Sequence, residues 1–283
     1  MNHSQTNHLL GYPPDARLLI LNADDFGMCH ATNEAIMRTL KNGPVRSTTL
    51  MVPCPWATHA MHFLGDHPEI PFGVHLTVVG DTDNYPWRPV TSLDRVPSLV
   101  DRAGFFFNRV KNPGLLDRVQ FDQLEVEFRA QIEVVLAAGL KPTHLDWHSL
   151  RIGSRMDIFE LMFGLAREYG LALRVAGRAV IEKVQGQGLP VIEHNFLDSS
   201  QLDPARKPAL YAQKLRDLPS GLSEWAVHPG LDGPELLALE PDGRHFRQSD
   251  YDFWTSQEAK ELIHREGIIL LDYRTLQSFW RQK

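Results

Sequence analysis

The chain has 283 residues, 43% of them hydrophobic and 23% charged, with a formal net charge of -6. A domain of that make-up buries a sizeable core, while the acidic balance, with no Lys/Arg run longer than a pair, gives nucleic acid and anionic membranes no electrostatic support as partners. Cys29 and Cys54 are too few for a disulfide framework, the polar stretch Met1 to Gly11 lacks the apolar core of a secretory signal, and no apolar run is long enough for a bilayer, so the expected location is cytoplasmic.

Residues 1–16 read as a flexible N-terminal segment. In Leu18 to Gly27, a run of consecutive apolar residues ends in two adjacent carboxylates and a glycine, which reads as a buried strand. Neighbours on a strand face opposite ways, and adjacent carboxylates repel unless a cation or shared proton relieves them. A metal on one Asp, with the other kept as a base, would give each a job. The competing reading is a solvated turn capping a helix at His30 to Lys41. Ala31 to Leu40 has helical spacing, and Ser47 to Val52 is a second strand, the rhythm of a parallel βαβ unit. A helix from Trp56 to Gly65 and a strand from Pro71 to Thr77 follow, with His75 near the strand's end. Residues 78–114 form a long insertion loop. Its Trp87, Phe105, Phe106 and Phe107 suggest a lid, a partner contact or an anchored surface excursion.

Leu124, Phe128, Ile132, Val135 and Leu136 mark a helix over Asp122 to Ala138. Then come a strand from Pro142 to His148, a helix from Asp157 to Tyr169 and a strand from Leu171 to Val175. Ile181 to Asp198 offers one strand near Val191. A helix from Pro208 to Leu218, a strand from Trp225 to Gly230, a helix capped by Ser256 and a last strand from Ile268 to Leu271 complete the chain. The pattern predicts one α/β domain over 1–283, an irregular TIM-like (β/α) barrel with about seven parallel strands; a doubly wound open sheet is the alternative.

A barrel of this kind works at the C-terminal ends of its strands. The ionisable residues there are Asp24 and Asp25, then His75, then Asp146 and His148, then His228, spaced by 50, 73 and 80 residues counting from Asp25. One carboxylate and two imidazoles make a site with open positions, catalytic in type. Asp25, His75 and His148 would hold a divalent metal ion, Asp24 would be the general base, and His228 the acid on the other side. Each has an ordinary reading too: His75 as a hydrogen-bonded rim residue, His228-Pro229-Gly230 as a turn. His144, Asp146 and His148 alternate onto one side, so spacing leaves either histidine open as the ligand, with Asp146 placed to orient one. Cys29, at the entry to the first long helix, is either a thiolate donor or packing.

Asn22-Ala23-Asp24-Asp25-Phe26-Gly27, Gly73-Val74-His75-Leu76-Thr77, Thr143-His144-Leu145-Asp146-Trp147-His148 and His228-Pro229-Gly230 resemble, in the same order, the motifs of the YdjC-like carbohydrate deacetylases, a group that includes chitooligosaccharide and hopanoid-pathway deacetylases. The similarity runs from Leu18 to Tyr273. It implies an irregular TIM-like barrel, one divalent metal, magnesium or zinc, and hydrolysis of an N-acetyl group from a small amino-sugar carbohydrate, with metal-bound water as nucleophile. It carries over Asp25, His75 and His148 as ligands, favouring His148 over His144, with Asp24 as base and His228 as acid. Members often pair, so a homodimer is an expectation, with Trp87 to Phe107 as its candidate surface. The chain departs from the chitooligosaccharide pattern at Trp147-His148-Ser149-Leu150-Arg151, where a histidine-rich run is lost. Trp147 is then a candidate to stack on a sugar face, or core. The rivals are a metal-independent glycoside hydrolase with Asp24 and a second carboxylate flanking the bond, and a non-catalytic sugar-binding barrel.

Overall fold

The apolar run after residue 16 is β1 (Arg17–Phe26), the centre of the sheet in a computed structural model that describes residues 4–112, 114–150, 155–194, 197–199 and 202–282. Arg151, which closes the third motif, Pro113 of the insertion loop, Met1 to His3, and Asn195 and Phe196 lie outside the described residues. Leu18, Leu19, Ile20 and Leu21 are wholly buried. Both faces of a parallel strand are covered, so the apolar residues run on instead of alternating, each worth about 1.5–3 kcal/mol of burial.

Before β1, the segment expected to be flexible holds α1 (Gln5–Leu10), whose buried Thr6 donates through Oγ1 to Val191 O at 2.6 Å. After it come α2 (His30–Asn42), β2 (Ser47–Leu50), α3 (Ala57–Asp66), β3 (Phe72–Leu76), α4 (Phe121–Ala137), β4 (His144–Trp147), α5 (Met156–Glu168) and β5 (Ala172–Leu173). Then follow α6 (Arg178–Gly186), β6 (Leu197–Asp198), α7 (Lys207–Arg216), β7 (Gly221–Val227), α8 (Pro234–Leu239), α9 (Arg244–Thr255), α10 (Gln257–Arg265), β8 (Ile269–Leu271) and α11 (Tyr273–Trp280).

Every ladder is parallel, and the strand order is β5-β4-β3-β2-β1-β7-β6, with β8 beside β1. β7 takes one edge of β1, while the other is shared by β8 at Leu18–Ile20 and β2 from Asn22 onward. Among the described residues no ladder joins β5 to β6, so the sheet curls as an irregular, open TIM-like barrel. The strand expected near Val191 is absent: Leu189 to Ile192 are buried irregular chain, and the strand is β6. α6, α8, α9 and α11 were not anticipated. The inward face of α9 carries Arg247 and Asp250 beside Phe253 and Trp254, which breaks the apolar spacing that marks a helix. The cap expected for α2 from the paired acids comes instead from Glu235 on α8, whose carboxylate accepts from the backbone N–H groups of His30 and Ala31.

The insertion loop packs down. Trp87 and Phe106 are buried, and their backbones meet where Phe106 N donates to Trp87 O at 2.9 Å. Those two rings are thus taken up within the chain and not offered to a partner. A polar stripe on α4 clamps the loop: Glu127 accepts from Val90 N and Thr91 N at 3.0 Å, Gln123 accepts from Ser98 N at 2.7 Å, and Gln131 bonds both backbone groups of Thr77. Replacing Glu127 with Ala strands two loop N–H groups, so Glu127→Ala should lower stability by roughly 1–3 kcal/mol. Urea unfolding measures this, and an unchanged midpoint would mean the clamp holds nothing.

Candidate active site

β1 does not end as a regular strand. Its register with β2 slips between Ala23 and Phe26, Asp25 takes φ 70°, and Gly27 follows at φ 99° where a Cβ would press on the Ala57 and Met51 backbone. A left-handed non-glycine residue costs of order 1–3 kcal/mol and persists where its surroundings hold it. The distortion brings two acids that regular alternation would set on opposite faces to one cavity of about 320 Å³, lined also by His75, His148, Trp147 and His228.

Asp24 is gripped by Arg174. Nη1 and Nη2 donate to Oδ2 and Oδ1 at 2.7 and 2.8 Å, and Asn22 Nδ2 donates to Oδ1 at 2.7 Å. Burial raises the carboxyl pKa, but Arg174 outweighs it and holds Asp24 well below the usual carboxylate range. Oδ2, the oxygen with fewer donors, faces His75 Nε2 at 3.9 Å. Asp25 is held from the other side, where Arg247 Nη1 donates to its Oδ2 at 2.9 Å. Here too burial is overcome, by Arg247 and the two histidines, and the pKa lies well below the ordinary value.

Each of those histidines has one nitrogen fixed by a carboxylate behind it. His75 Nδ1 donates to Asp146 Oδ1 at 2.7 Å, and His148 Nε2 donates to Asp81 Oδ2 at 3.0 Å. His75 Nε2 and His148 Nδ1 then stand 3.5 and 3.2 Å from Asp25 Oδ1, and one donor atom from each of the three residues lies within 4.8 Å of the others. Donors held about 2 Å from a shared ion have separations of this order. An anionic oxygen with two oriented imidazoles is a donor set that fits a divalent cation. Asp24, His75 and Asp146 also converge, but Arg174 Nη1 lies 2.7 Å from an oxygen of each acid. That corner already has its cation.

Charge counts the same way. The buried carboxylates Asp24, Asp25, Asp146 and Glu224 face two buried arginines, Arg174 and Arg247, and Arg247 is shared with Glu240, so carboxylates outnumber guanidinium groups. Imidazole protons or a divalent cation would offset that excess. With no ion bound, burial works against charge on the rings and the carboxylates prevail: Asp146, Asp25 and Asp24 push His75 up to about 10, and Asp81 and Asp25 push His148 up to about 9.

His144 sits elsewhere. Its ring stacks on Tyr273 at 3.6 Å and lies over Gly73, where a Cβ would come within 2.6 Å of it, and burial with Arg174 nearby holds its pKa well below the ordinary value. Geometry thus brings His148 and not His144 to Asp25. Cys29 contacts Thr32 Oγ1 at 3.1 Å and is not among the converging donors. Trp147 is half-buried on the cavity wall, and Asp146 is the residue behind His75. Sequence reasoning missed Arg174, Arg247 and Asp81. Arg174 had a signal, a lone charge at the end of the apolar run Leu171 to Val175. Asp81 in an aperiodic loop and Arg247 in an unrecognised helix had none.

The family model for YdjC-like protein matches residues 18–265. A carbohydrate deacetylase of Thermoanaerobacter pseudethanolicus is 28% identical over 260 residues, covering 92% of this chain and 99% of its own length. A chitooligosaccharide deacetylase of Yersinia pestis (strain Pestoides F) is 32% identical over 224 residues, covering 78% of this chain and 80% of its own. A crystal structure from Enterococcus faecalis V583, named for cellobiose-phosphate cleavage, superposes with a TM-score of 0.76 at 28% identity, covering 92% of this chain and 99% of that one.

A cation entering between Asp25, His75 and His148 has to displace the imidazole protons, about two of them. Both rings are protonated below their raised pKa values, so affinity should climb with pH and level off near 10, the value for His75. Calorimetry in buffers of different ionisation enthalpy reads the proton release; binding that ignores pH would contradict this ligand set.

Proposed function

The chain belongs to the YdjC-like protein family, and from that premise we propose that it is a metal-dependent hydrolase that removes an N-acetyl group from an amino-sugar carbohydrate. The observation that carries the reading is an aspartate kept ionised, Asp24, beside an oriented set of one oxygen and two nitrogen donors in one cavity. Relatives named carbohydrate deacetylase and chitooligosaccharide deacetylase supply the substrate class.

Asp25, His75 and His148 would hold the cation, whose contribution when bound is Lewis acidity, polarising the amide carbonyl and acidifying a water enough for a weak base to deprotonate it. Asp24 is that weak base. Arg174 lowers its proton affinity yet keeps it charged and aimed, and Oδ2 takes the proton as the water oxygen adds to the acyl carbon. The C–N bond then breaks, and the sugar nitrogen leaves as a free amine with a proton from His228 on the cavity wall. Trp147 and Phe246 offer ring faces for the sugar, in a cavity at the small end of ligand pockets.

The name of the Enterococcus faecalis structure raises glycosidic cleavage as the second reading. That chemistry needs a carboxyl kept protonated to act as acid. Asp24, Asp25 and Asp81 are held below their usual values by cationic neighbours, which argues against any of these three as that acid.

Acetate release from acetylated amino sugars should stop with chelator and return with magnesium or zinc. Asp24→Asn should cut turnover by roughly 10²–10⁴ while the metal still binds. Full turnover in chelator would favour the glycosidase; sugar binding with no acetate would favour the non-catalytic barrel.

A further inference from the structure

His228 closes β7, half-buried, with its ring on the cavity wall. Behind it lies a polar cluster that the deacetylation scheme does not use. Asp250 on α9 is wholly buried and takes donors on both oxygens. Lys207 Nζ donates to Oδ1 at 2.7 Å and the Tyr211 hydroxyl donates to the same oxygen, while His228 N donates to Oδ2 at 2.8 Å and the Ser199 hydroxyl also donates there. Ser199 Oγ in turn lies 3.0 Å from His228 Nδ1.

Protons can be assigned along this chain. A carboxylate paired with a buried lysine only accepts, so the single hydroxyl proton of Ser199 is committed to Asp250. Ser199 then faces His228 with a lone pair, and Nδ1 has to carry a proton. The other oxygen near Nδ1, Asp198 Oδ1, is 3.9 Å away, beyond hydrogen-bond reach. The same assignment excludes Ser199 as a nucleophile: it is wholly buried and its proton points away from the histidine. Because Lys207 balances Asp250, the cluster brings His228 no net charge and acts by direction alone.

We infer that Ser199, locked by Asp250, is a positioning residue that fixes His228 as the Nδ1–H tautomer with Nε2 turned to the cavity, so that Nε2 is the nitrogen that protonates the departing amine. The role in turnover rests on the deacetylase reading; the tautomer does not. When Nε2 gives up its proton, the one left on the ring stays on Nδ1, and the Ser199 lone pair is what stabilises it there.

Nitrogen-15 spectra of histidine-labelled protein, followed to the pH where the ring is neutral and assigned with H228Q, read the tautomer directly. The wild type should show Nδ1–H. S199A, which adds no bulk, should move the ring toward the Nε2–H form that histidine prefers in water, and should lower kcat roughly ten- to a hundredfold with KM within about twofold. An Nε2–H ring in the wild type, or an S199A protein with unchanged kcat, overturns the inference. Should S199A not fold, the wild-type spectrum alone decides. Nδ1–H in a protein that releases no acetate would refute the deacetylase reading and support the Ser199 contact.

Discussion

Arg174 touches Asp24 of β1, Asp146 of β4 and Glu224 of β7 at 2.7–2.8 Å, and the site depends on that one buried cation. An unpaired buried carboxylate is costly, and breaking a buried pair costs about 3–5 kcal/mol, so three strands far apart in sequence are drawn to a common point. A guanidinium does not give up its proton in the accessible pH range. Its charge is permanent, which a histidine in that place could not offer. The same contact therefore fixes Asp24 as an anion and holds Asp146 where it orients His75. Tyr273 donates to Glu224 at 2.5 Å, which ties the start of α11 into the arrangement.

The two sides of the cavity are held by different physics. On the side of Asp24 and Asp25, carboxylates outnumber the guanidinium groups that meet them. Behind His228, Lys207 answers Asp250 and a neutral hydroxyl meets the ring. His228 takes its orientation from the Ser199 hydroxyl, with no charged partner within hydrogen-bond reach of Nδ1. Separate environments assign separate roles to groups that share one small space.

What the sequence disclosed followed from periodicity and from position along strands. The apolar run of β1, the spacing of α4 and the strand-end placing of Asp24, Asp25, His75, His148 and His228 could all be read directly, and they bring the same residues together in the cavity. Three things could not. The bulge at Asp25, which turns two neighbours toward one cavity, depends on packing around Gly27, which Asp's tolerance of the left-handed region permits but does not specify. Arg247 and Asp250 sit on the buried face of α9, where charged residues at core positions erase the helical pattern. The choice between His144 and His148 turns on Gly73, whose missing side chain leaves room for the His144 ring to lie flat against β3 and stack on Tyr273. The alternation from His144 to His148 contains none of that.

The insertion loop reaches the wall that carries the candidate metal donors. Its Asp81 holds His148 by Nε2, its Trp87 meets the same ring edge-on at 5.4 Å, and α4 clamps its backbone through Glu127. His148 is therefore oriented by a segment that no strand supports. A loop elsewhere on the rim can change in length or composition to suit a new sugar without touching the donors, whereas this one has to deliver a carboxylate to a fixed place whatever else it does. Room to alter substrate choice is thus greater at Trp147 and Phe246, which line the cavity and hold no candidate ligand. The histidine-rich run is lost just after Trp147-His148 in the chain, and the donors themselves stay in place.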